Sequence, residues 1–438
     1  MSKVKISGIN NTFSKIEDKT IKELGFTTLY IDLNSCFATT EQQARPKLRN
    51  KPVAIVNRLV EHSTIIAASI EAKALGIKVG MSIDEAKSIC PKIIFAETEP
   101  SKYIFVHQKL KNILKDYSPK VIMKSIDEGL IDLSESSAEV RSRTAKALAE
   151  EIKNRLKTEV GNYMKCNIGF SYNRFLAKLA GELHKPDGLD CITRDNIREV
   201  FSHIKLTDLP GINKKSEKRL KVYGIDTPLK FLDAKEETLR IQVFQSIEGS
   251  KWFWRLRGME VDERDDITKS IGRQFVLPPN HTINETKIRL AHLAEDVGFR
   301  LRSQDLYARG IYVWVTFNLS ENHFTLHKNI LRKEVFNTDG EIIEFAQNLF
   351  DEIIKESKSD NPRIIGVSLY KLTSENNNQL SFDHEKQEKA EKIAAVVDKI
   401  NARFGNRTVH SAYTLKTNDM HTKIPFGSTR YLDKNIGQ

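Results

Sequence analysis

Three acidic residues lie at the ends of predicted β-strands, where their carboxylates could meet. Asp32 lies next to the end of the apolar stretch TTLYIDL, and Asp127 and Glu128 occupy the turn of VIMKSIDEGLIDLS. Hard divalent ions such as Mg²⁺ prefer carboxylate and carbonyl oxygens, and two ions about 3.5–4 Å apart can bridge the oxygens of a phosphoryl transfer. Neighbouring side chains of a strand point to opposite faces, so the turn, with Gly129, must reorient one acid. The alternative is a solvated acidic dipeptide in a chain with 58 acidic residues.

The segments around these acids alternate between strand and helix patterns. Strands are predicted at residues 27–33, 63–69, 121–124, 130–133 and 165–170, and helices at residues 70–75, 138–157 and 173–183. This alternation predicts an α/β domain in which residues 121–133 form a hairpin. Residues 205–232 contain two helical patterns around a Pro-Gly hairpin, which predicts a separate all-helical module.

The C-terminal half has a different pattern. Residues 259–268 are polar and charged, as expected of an exposed linker. A β-α-β-β-α-β pattern follows, with strands near 269–277, 307–318, 324–335 and 363–372 and helices near 284–303 and 340–357. Thr282 and Glu285 predict a capping box at the first helix. From residue 374 the chain is predicted to be a tail with one helix, at 385–404, and little core.

The composition favours a polyanionic partner and no membrane. Lys and Arg total 69 against 58 Asp and Glu, a formal net charge of +11, which attracts nucleic acid. No apolar stretch approaches the ~20 residues that span a bilayer, and no apolar segment follows the N-terminal lysines as in a secretory signal. Cys36, Cys90, Cys166 and Cys191 form no CxxC pair, which argues against a zinc site or disulfide framework. We expect a cytoplasmic protein with reduced thiols.

Three segments carry a family resemblance. IDLNSCFATTE, KSIDEGLIDLS and NIGFSYNRFLAKLAGELHKPDGL resemble, in order and spacing, the signature blocks of Y-family DNA polymerases, and the similarity extends from about Phe26 to Leu372. The resemblance implies an error-prone translesion polymerase, without proofreading, that adds deoxynucleotides to a primer in DNA damage bypass. EAKALG, KINARFG and IPFGSTRYL look closer to the catalytic subunit of bacterial polymerase V than to polymerase IV.

The resemblance also implies an α/β (α+β multidomain) right-hand fold with palm, fingers, thumb and little finger. The implied segments are an N-terminal extension (1–25), the palm (26–35 and 97–190), the fingers (36–96), the helical thumb (191–258), a linker (259–268), the β-α-β-β-α-β little finger (269–373) and a C-terminal tail (374–438).

By the same resemblance, Asp32, Asp127 and Glu128 are the catalytic carboxylates, and with the backbone carbonyl of Leu33 they hold two Mg²⁺ ions. Cys36, Phe37, Lys73 and Lys185 occupy positions that bind the incoming deoxynucleoside triphosphate.

Phe37 stands at the steric gate, where a bulky ring excludes a ribose 2′-hydroxyl; a core aromatic is its alternative. The two lysines would otherwise be solvated surface charges. Ile70 replaces the tyrosine that the family often has, so one hydroxyl contact to the phosphates is missing.

The thumb segment LPGINKKSEKRL resembles a helix-hairpin-helix element, with an ordinary helical turn as the alternative. Backbone N–H groups at a helix start can face a DNA phosphate without reading sequence. Asn213 stands where a second glycine is usual and tolerates positive φ. The DNA-binding residues implied are Gly211, Asn213, Lys214, Lys215 and, in the little finger, Arg273.

Near the start of the tail, QLSF resembles the clamp-binding peptide of bacterial polymerases, with Gln379, Leu380 and Phe382 as the contacting residues. Packing of Leu380 and Phe382 on the little finger is the alternative. The implied partners are primer-template DNA, a sliding clamp and, from the polymerase V similarity, accessory mutagenesis subunits.

Two rival functions use the same features. A polymerase-shaped but inactive DNA-binding scaffold is disfavoured because Asp32, Asp127 and Glu128 are all present. A metal-dependent nuclease is disfavoured by the FLAKLA…KPDG block, which in the family serves nucleotide binding.

Overall fold

The structure, a computed structural model, describes residues 12, 16–60, 63–262, 268–278, 281–319, 322–357, 359, 361–374, 384–405, 407–417 and 420. The described residues up to Asp262 form one compact unit, called here the first unit. Those from Thr268 onward form the second unit.

Helices and strands of the first unit agree in type with the sequence pattern. Its helices are α1 (Ile21–Leu24), α2 (Cys36–Ala44), α3 (Ile70–Ala74), α4 (Ile83–Ile89), α5 (Pro100–Lys115), α6 (Ala138–Arg141), α7 (Ala145–Glu159), α8 (Arg174–Leu183), α9 (Ile197–Ser202), α10 (Lys214–Val222), α11 (Pro228–Asp233) and α12 (Ile247–Leu256). Its strands are β1 (Thr28–Leu33), β2 (Val53–Val56), β3 (Ile65–Ala68), β4 (Ile94–Glu97), β5 (Val121–Met123), β6 (Glu128–Asp132), β7 (Cys166–Ser171) and β8 (Leu189–Cys191).

Strand β1 is the centre of a five-stranded sheet with the order β5-β6-β1-β7-β8. It is antiparallel to β6 and β7, and the predicted hairpin of β5 and β6 is confirmed. Tyr30 packs with Ala177 of α8, whereas Leu29 and Ile31 belong to a core that α5 and α7 share. A near-continuous apolar run is what a strand covered on both faces requires.

The prediction of one continuous helix at residues 138–157 is wrong. The structure has α6 and α7 in its place, separated at residues 142–144. Thr144 starts the second helix, since its side chain accepts a hydrogen bond from the backbone N–H of Ala147. Such an N-cap satisfies an otherwise unpaired backbone donor and begins a new helix.

Residues 53–97 form a smaller lobe around the sheet β3-β2-β4, in which β2 is parallel to β4. Helices α3 and α4 cover it through a core of their own. A second satellite region is helical: α9 to α12 surround Phe201, Leu220 and Phe231, with Trp252 stacked near Phe244. A π-helical turn, Thr238–Val243, precedes α12.

The second unit confirms the predicted β-α-β-β-α-β order. Its elements are β9 (Ser270–Val276), α13 (Ile283–Arg302), β10 (Tyr307–Leu319), β11 (Asn322–Phe336), α14 (Asp339–Ser357), β12 (Pro362–Thr373) and α15 (His384–Phe404). The antiparallel sheet has the order β11-β10-β12-β9. The predicted capping box of Thr282 and Glu285 is present.

Residues 384–420 are more than the tail that their pattern predicts. Thr414, Thr417 and Met420 are buried, and Met420 belongs to the core of the second unit. The contacts to α13 are largely polar, such as His292 Nδ1 with Thr417 Oγ1 at 2.7 Å. Polar contacts leave no apolar periodicity in the sequence, which explains why this layer was not foreseen.

Within the described parts of the chain, no helix is both long and apolar enough to cross a bilayer. All four cysteines are buried and unpaired by disulfides.

Candidate active site

The register of the sheet brings the three acids together. Asp32 lies opposite Glu128 in the β1–β6 pair, and the backbone N–H of Leu33 donates to the carbonyl of Asp127 at 3.0 Å. Asp32 is buried, with 8% of its surface exposed. Strand pairing therefore fixes the backbones of all three predicted carboxylates at one end of β1.

Ser125, which sequence reasoning did not single out, holds the turn between β5 and β6. Its hydroxyl accepts hydrogen bonds from the N–H groups of Asp127 and Glu128, at 3.3 and 3.1 Å, and donates to Asp127 Oδ1 at 2.5 Å. Gly129 has no positive φ and lies within β6, where a Cβ would come within 2.9 Å of Leu114. The turn is thus made by Ser125, and Gly129 is required for packing.

His107 supports the same hairpin from α5. Its Nδ1 lies 3.0 Å from the carbonyl oxygen of Ile126, and its side chain is fully buried. A buried imidazole on this peptide restricts the backbone immediately before Asp127.

Two lysines of the segment from α8 to Lys185 neutralise the acids. Lys185 Nζ contacts Asp32 Oδ2 and lies 2.7 Å from Glu182 Oε1, and Lys178 Nζ lies 2.8 and 3.0 Å from the two carboxylate oxygens of Glu128. Lys178 and Glu182 were missed. Lys178 lies four residues before Glu182, and Glu182 lies three residues before Lys185, which is the helical spacing that places side chains on one face and could have identified them.

Burial dominates the electrostatics of the acids. Burial raises the pKa of Asp32 to about 7, with a further rise from nearby Asp127 and an opposing effect of Lys185. Burial also raises the pKa of Asp127. Burial alone would lower the pKa of Lys185, but Asp32 and Glu182 reverse that effect and raise it. Ionised carboxylates at this site therefore need nearby positive charge.

The charge of Lys73 interacts with those of the same acids and of Lys185. Burial lowers its pKa, and repulsion by Lys185 adds to this, while Asp32 and Asp127 act in the opposite direction. The structure thus brings both predicted nucleotide-binding lysines into electrostatic contact with the carboxylates.

The predicted metal ligands are hard oxygen donors, as Mg²⁺ requires. In the described residues, however, no three His, Cys, Asp or Glu side chains are already gathered as a metal site. The ammonium groups of Lys185 and Lys178 lie on the carboxylate oxygens of Asp32 and Glu128. By the chemistry of their oxygen donors, the predicted ligands fit a divalent ion.

Cys36 and Phe37 begin α2 directly beyond this site. Phe37 is 3% exposed, and its ring stacks on Tyr103 with centroids 4.2 Å apart. Cys36 is buried, and burial raises its thiol pKa well above the usual value. Phe37 is thus both a core aromatic and a neighbour of the carboxylates in sequence.

The predicted DNA-binding residues differ in how open they are. Gly211 has φ +89°, and Lys214 and Lys215 are exposed at the start of α10. Asn213 has φ −96° and caps α10 by accepting from the N–H of Ser216 at 2.9 Å, so it needs no positive φ. Arg273, by contrast, is largely buried.

The guanidinium of Arg273 forms an ion pair with Asp296 of α13, and only 12% of its side chain is exposed. Its contact with DNA stays a prediction. Gln379, Leu380 and Phe382, predicted to bind a clamp, lie outside the described residues.

Comparison with solved structures identifies the architecture. A Y-family DNA polymerase chimera of Dbh and Dpo4 has a TM-score of 0.68 and 22% identity, covering 80% of this chain and 99% of that one. The insertion ternary complex of Dbh DNA polymerase has a TM-score of 0.55 and 21% identity, covering 78% and 98%. These likenesses show a right-hand fold with palm, fingers, thumb and little finger.

Sequence comparison gives the family. Residues 31–182 match the impB/mucB/samB family, and residues 268–382 match its C-terminal domain. DNA polymerase IV of Pelotomaculum thermopropionicum is 30% identical over 405 residues, covering 88% of this chain and 95% of the relative. DNA polymerase IV of Clostridium perfringens is 30% identical over 364 residues, covering 81% and 98%. The chain belongs to the impB/mucB/samB family of Y-family DNA polymerases.

Proposed function

We propose that the protein is a template-directed, error-prone translesion DNA polymerase that extends a primer 3′ end by two-metal phosphoryl transfer. The observation that carries the proposal is the register of β1 and β6, which aligns Asp32 with Glu128 beside Asp127. Asp32 is buried next to a lysine rather than an arginine, and a flexible single-point cation of this kind suits a site whose counter-charge changes during a reaction.

The lysines have a defined part in the proposed cycle. In the structure, Lys185 pairs with Asp32 and Glu182. A triphosphate offers Lys185 and Lys73 a more highly charged partner, and movement of Lys185 toward it would free the oxygens of Asp32. Two Mg²⁺ ions, held by Asp32, Asp127, Glu128 and the carbonyl of Leu33, would stabilise the attacking and leaving oxygens.

Primer extension on intact and lesion-bearing templates, with each deoxynucleotide separately, tests the proposal. We expect templated, Mg²⁺-dependent addition across a lesion. The contradicting result is a wild-type protein that binds primer-template DNA but extends no primer, which is the behaviour of the inactive scaffold. Nuclease activity without extension would favour the other rival.

Phe37 is proposed as the steric gate. Phe37→Ala should raise ribonucleotide incorporation relative to deoxynucleotide incorporation, and Phe37→Leu, which keeps more bulk beside Tyr103, should raise it less. Equal nucleotide selectivity in wild type and Phe37→Ala would remove this role.

DNA is proposed to contact Gly211, Asn213, Lys214 and Lys215 at the start of α10, with Arg273 contributing from the second unit. Each phosphate contact should lower the slope of log affinity against log salt by about 0.9. Lys214→Ala with Lys215→Ala should therefore make that slope shallower by nearly two units, and an unchanged slope would exclude both contacts.

The clamp-binding peptide and the accessory subunits are proposed from the sequence alone. Leu380→Ala with Phe382→Ala should remove stimulation by a cognate sliding clamp and leave distributive extension intact. The relatives reported above carry the name DNA polymerase IV, so the similarity to the polymerase V catalytic subunit has no support among them. Full lesion bypass by the isolated chain would argue against a need for accessory mutagenesis subunits.

A further inference from the structure

The N-terminal extension packs on the sheet that carries the catalytic acids. Ile16 lies against the main core of the first unit, and Thr20 pairs with Thr144 in an isolated β-bridge. The N–H of Ile21 donates to the carbonyl of Arg143 at 2.9 Å. These contacts fix residues 16–21 beside the start of α7.

Thr12 of the extension lies on β8, at the edge of the same sheet. Its hydroxyl donates to Asp190 Oδ1 at 3.0 Å and accepts from the backbone N–H of Cys191 at 2.9 Å. The thiol of Cys191 donates to the carbonyl of Thr12 at 3.3 Å. Thr12 is therefore tied to two consecutive residues of β8 through both its side chain and its backbone.

Asp190 connects Thr12 to the segment that holds Lys185. The residue is 1% exposed, and its Oδ1 also lies 2.7 Å from Nδ1 of His184. In the described part of the chain, Oδ2 has no hydrogen-bond partner. The Thr12 hydroxyl and His184 Nδ1 both contact Oδ1 of this buried carboxylate, so loss of the hydroxyl would remove one of the contacts that fix the orientation of Asp190 toward His184.

The other flank of Lys185 is also fixed by buried polar side chains. Asn34, two residues after Asp32, accepts from the N–H of Asp187 at 2.7 Å. Asn34 donates to Asn167 Oδ1 at 2.8 Å, and the same oxygen accepts from the N–H of Gly188 at 3.2 Å. The backbone of Lys185 thus lies between two anchored segments, and among the described residues of the N-terminal extension Thr12 contacts the one that includes His184 through Asp190.

We propose that Thr12 is a positioning residue for the incoming deoxynucleoside triphosphate, acting through Asp190 and His184 on Lys185. The inference rests on the proposed polymerase function. A lysine side chain is long and flexible, so its ammonium reaches a phosphate reliably only when its backbone is fixed. The N-terminal extension then completes the nucleotide site without touching nucleotide.

Two matched variants of the full-length chain test this role. Thr12→Val removes the hydroxyl and keeps the shape, whereas Thr12→Ser keeps the hydroxyl. We expect Thr12→Val to raise KM for deoxynucleotide about threefold to tenfold, the range that loss of one hydrogen bond covers, with kcat changed less than about twofold. Thr12→Ser should restore KM. Equilibrium binding of a fluorescent deoxynucleotide to the protein–DNA complex should show the same order.

A double-mutant cycle separates positioning from a general structural role. In a Lys185→Ala background, Thr12→Val should leave KM and nucleotide affinity unchanged, because the residue it positions is gone. The inference is overturned if the Thr12→Val effect persists in the Lys185→Ala background or if wild type and Thr12→Val have equal KM values. It is also overturned if Thr12→Val lowers the melting temperature without changing nucleotide affinity. A wild-type protein that binds nucleotide but extends no primer instead overturns the proposed function, and the affinities of the Thr12 variants still decide this proposal.

Discussion

The two units each bury a cluster of charges, and the clusters are built differently. In the second unit, Arg302 donates to Asp398 at 2.6 and 2.9 Å, to Asp339 at 2.8 and 3.2 Å and to the carbonyl of Asn337 at 2.8 Å. One guanidinium fork joins α13, α14 and α15, with 9% of the Arg302 side chain exposed. Its geometry matches two carboxylates at once.

The acids of the first unit pair instead with the ammonium groups of lysine side chains. Asp32 shares Lys185 with Glu182, Glu128 is paired with Lys178, and Asp127 has Ser125 as its hydrogen-bonding partner. Four acids therefore face two directly paired cations. The Arg302 cluster therefore joins three helices through one cation, whereas the acids of the first unit outnumber the cations that pair with them directly.

The largest effect is expected from substitutions of the acids of the first unit. Asp127→Asn with Glu128→Gln should lower the primer-extension rate about a thousandfold or more, since metal ions supply several kcal/mol to such reactions. DNA affinity should change little because basic side chains and backbone amides hold the duplex. Asp398→Asn, at the Arg302 cluster, is the control and should leave the rate within a few-fold. Extension within tenfold of wild type in the palm variant would contradict the assigned site.

Breaking the second cluster should affect stability instead. Arg302→Met leaves the partly buried Asp339 and Asp398 without their cation and should lower the free energy of unfolding of the second unit by about 1.5–3 kcal/mol. Lys392→Met removes an exposed pair with Glu388, 2.7 Å long, and should cost less than about 0.5 kcal/mol. Urea unfolding measures both. Similar losses in the two variants would show that the Arg302 cluster is not specially stabilising.

The convergence of the three acids and the β-α-β-β-α-β order of the second unit could be predicted from the sequence, but the side chains that pair with the acids could not. Asp32, Asp127 and Glu128 could be predicted because strand ends and motifs are local features. The pairing of Lys178 with Glu128 joins residues 50 positions apart, and it depends on which face of α8 meets β1 and β6. Likewise, the resemblance implied that Arg273 binds DNA, and it could not show that Asp296 of α13 pairs with Arg273 in the structure.

A third prediction tests the electrostatic cost of the palm acids. Because the folded-state pKa of Asp32 is about 7, above the ordinary value, its contribution to stability is greatest at low pH and is lost as pH rises through 7. Asp32→Asn removes this loss. In EDTA, the variant should gain melting temperature relative to wild type as pH rises from 5 to 8. Asp84→Asn, on the exposed surface of α4, should show no such trend. A gain that is constant across this range, or a loss that deepens, would show that Asp32 is satisfied by Lys185.

The smallest expected effect has the opposite pH dependence and concerns the C-terminal layer. His292 of α13 is 2% exposed and contacts Thr417 Oγ1 at 2.7 Å. Burial lowers its pKa to about 3, and Arg407, Arg273, His410 and Arg289 lower it further, while Asp296 lies 3.5 Å from its Nε2.

His292 is therefore neutral in the folded protein, whereas an unfolded histidine takes up a proton near pH 6.5. Its contribution to stability is complete above that pH and is lost as pH falls toward 3, with a slope of at most about 1.4 kcal/mol per pH unit. Hydrogen exchange of residues 412–417 between pH 7.5 and 5 should show protection decreasing in acid after correction for the intrinsic exchange rate. His292→Asn, which keeps an amide near the Thr417 hydroxyl and cannot titrate, should flatten that dependence. If protection is equally pH-dependent in the variant, another group controls the layer. If the expected pH dependences of Asp32→Asn and His292→Asn are both observed, lowering the pH destabilises residues 412–417 of the second unit and removes the unfavourable contribution of the ionised Asp32 carboxylate in the first unit.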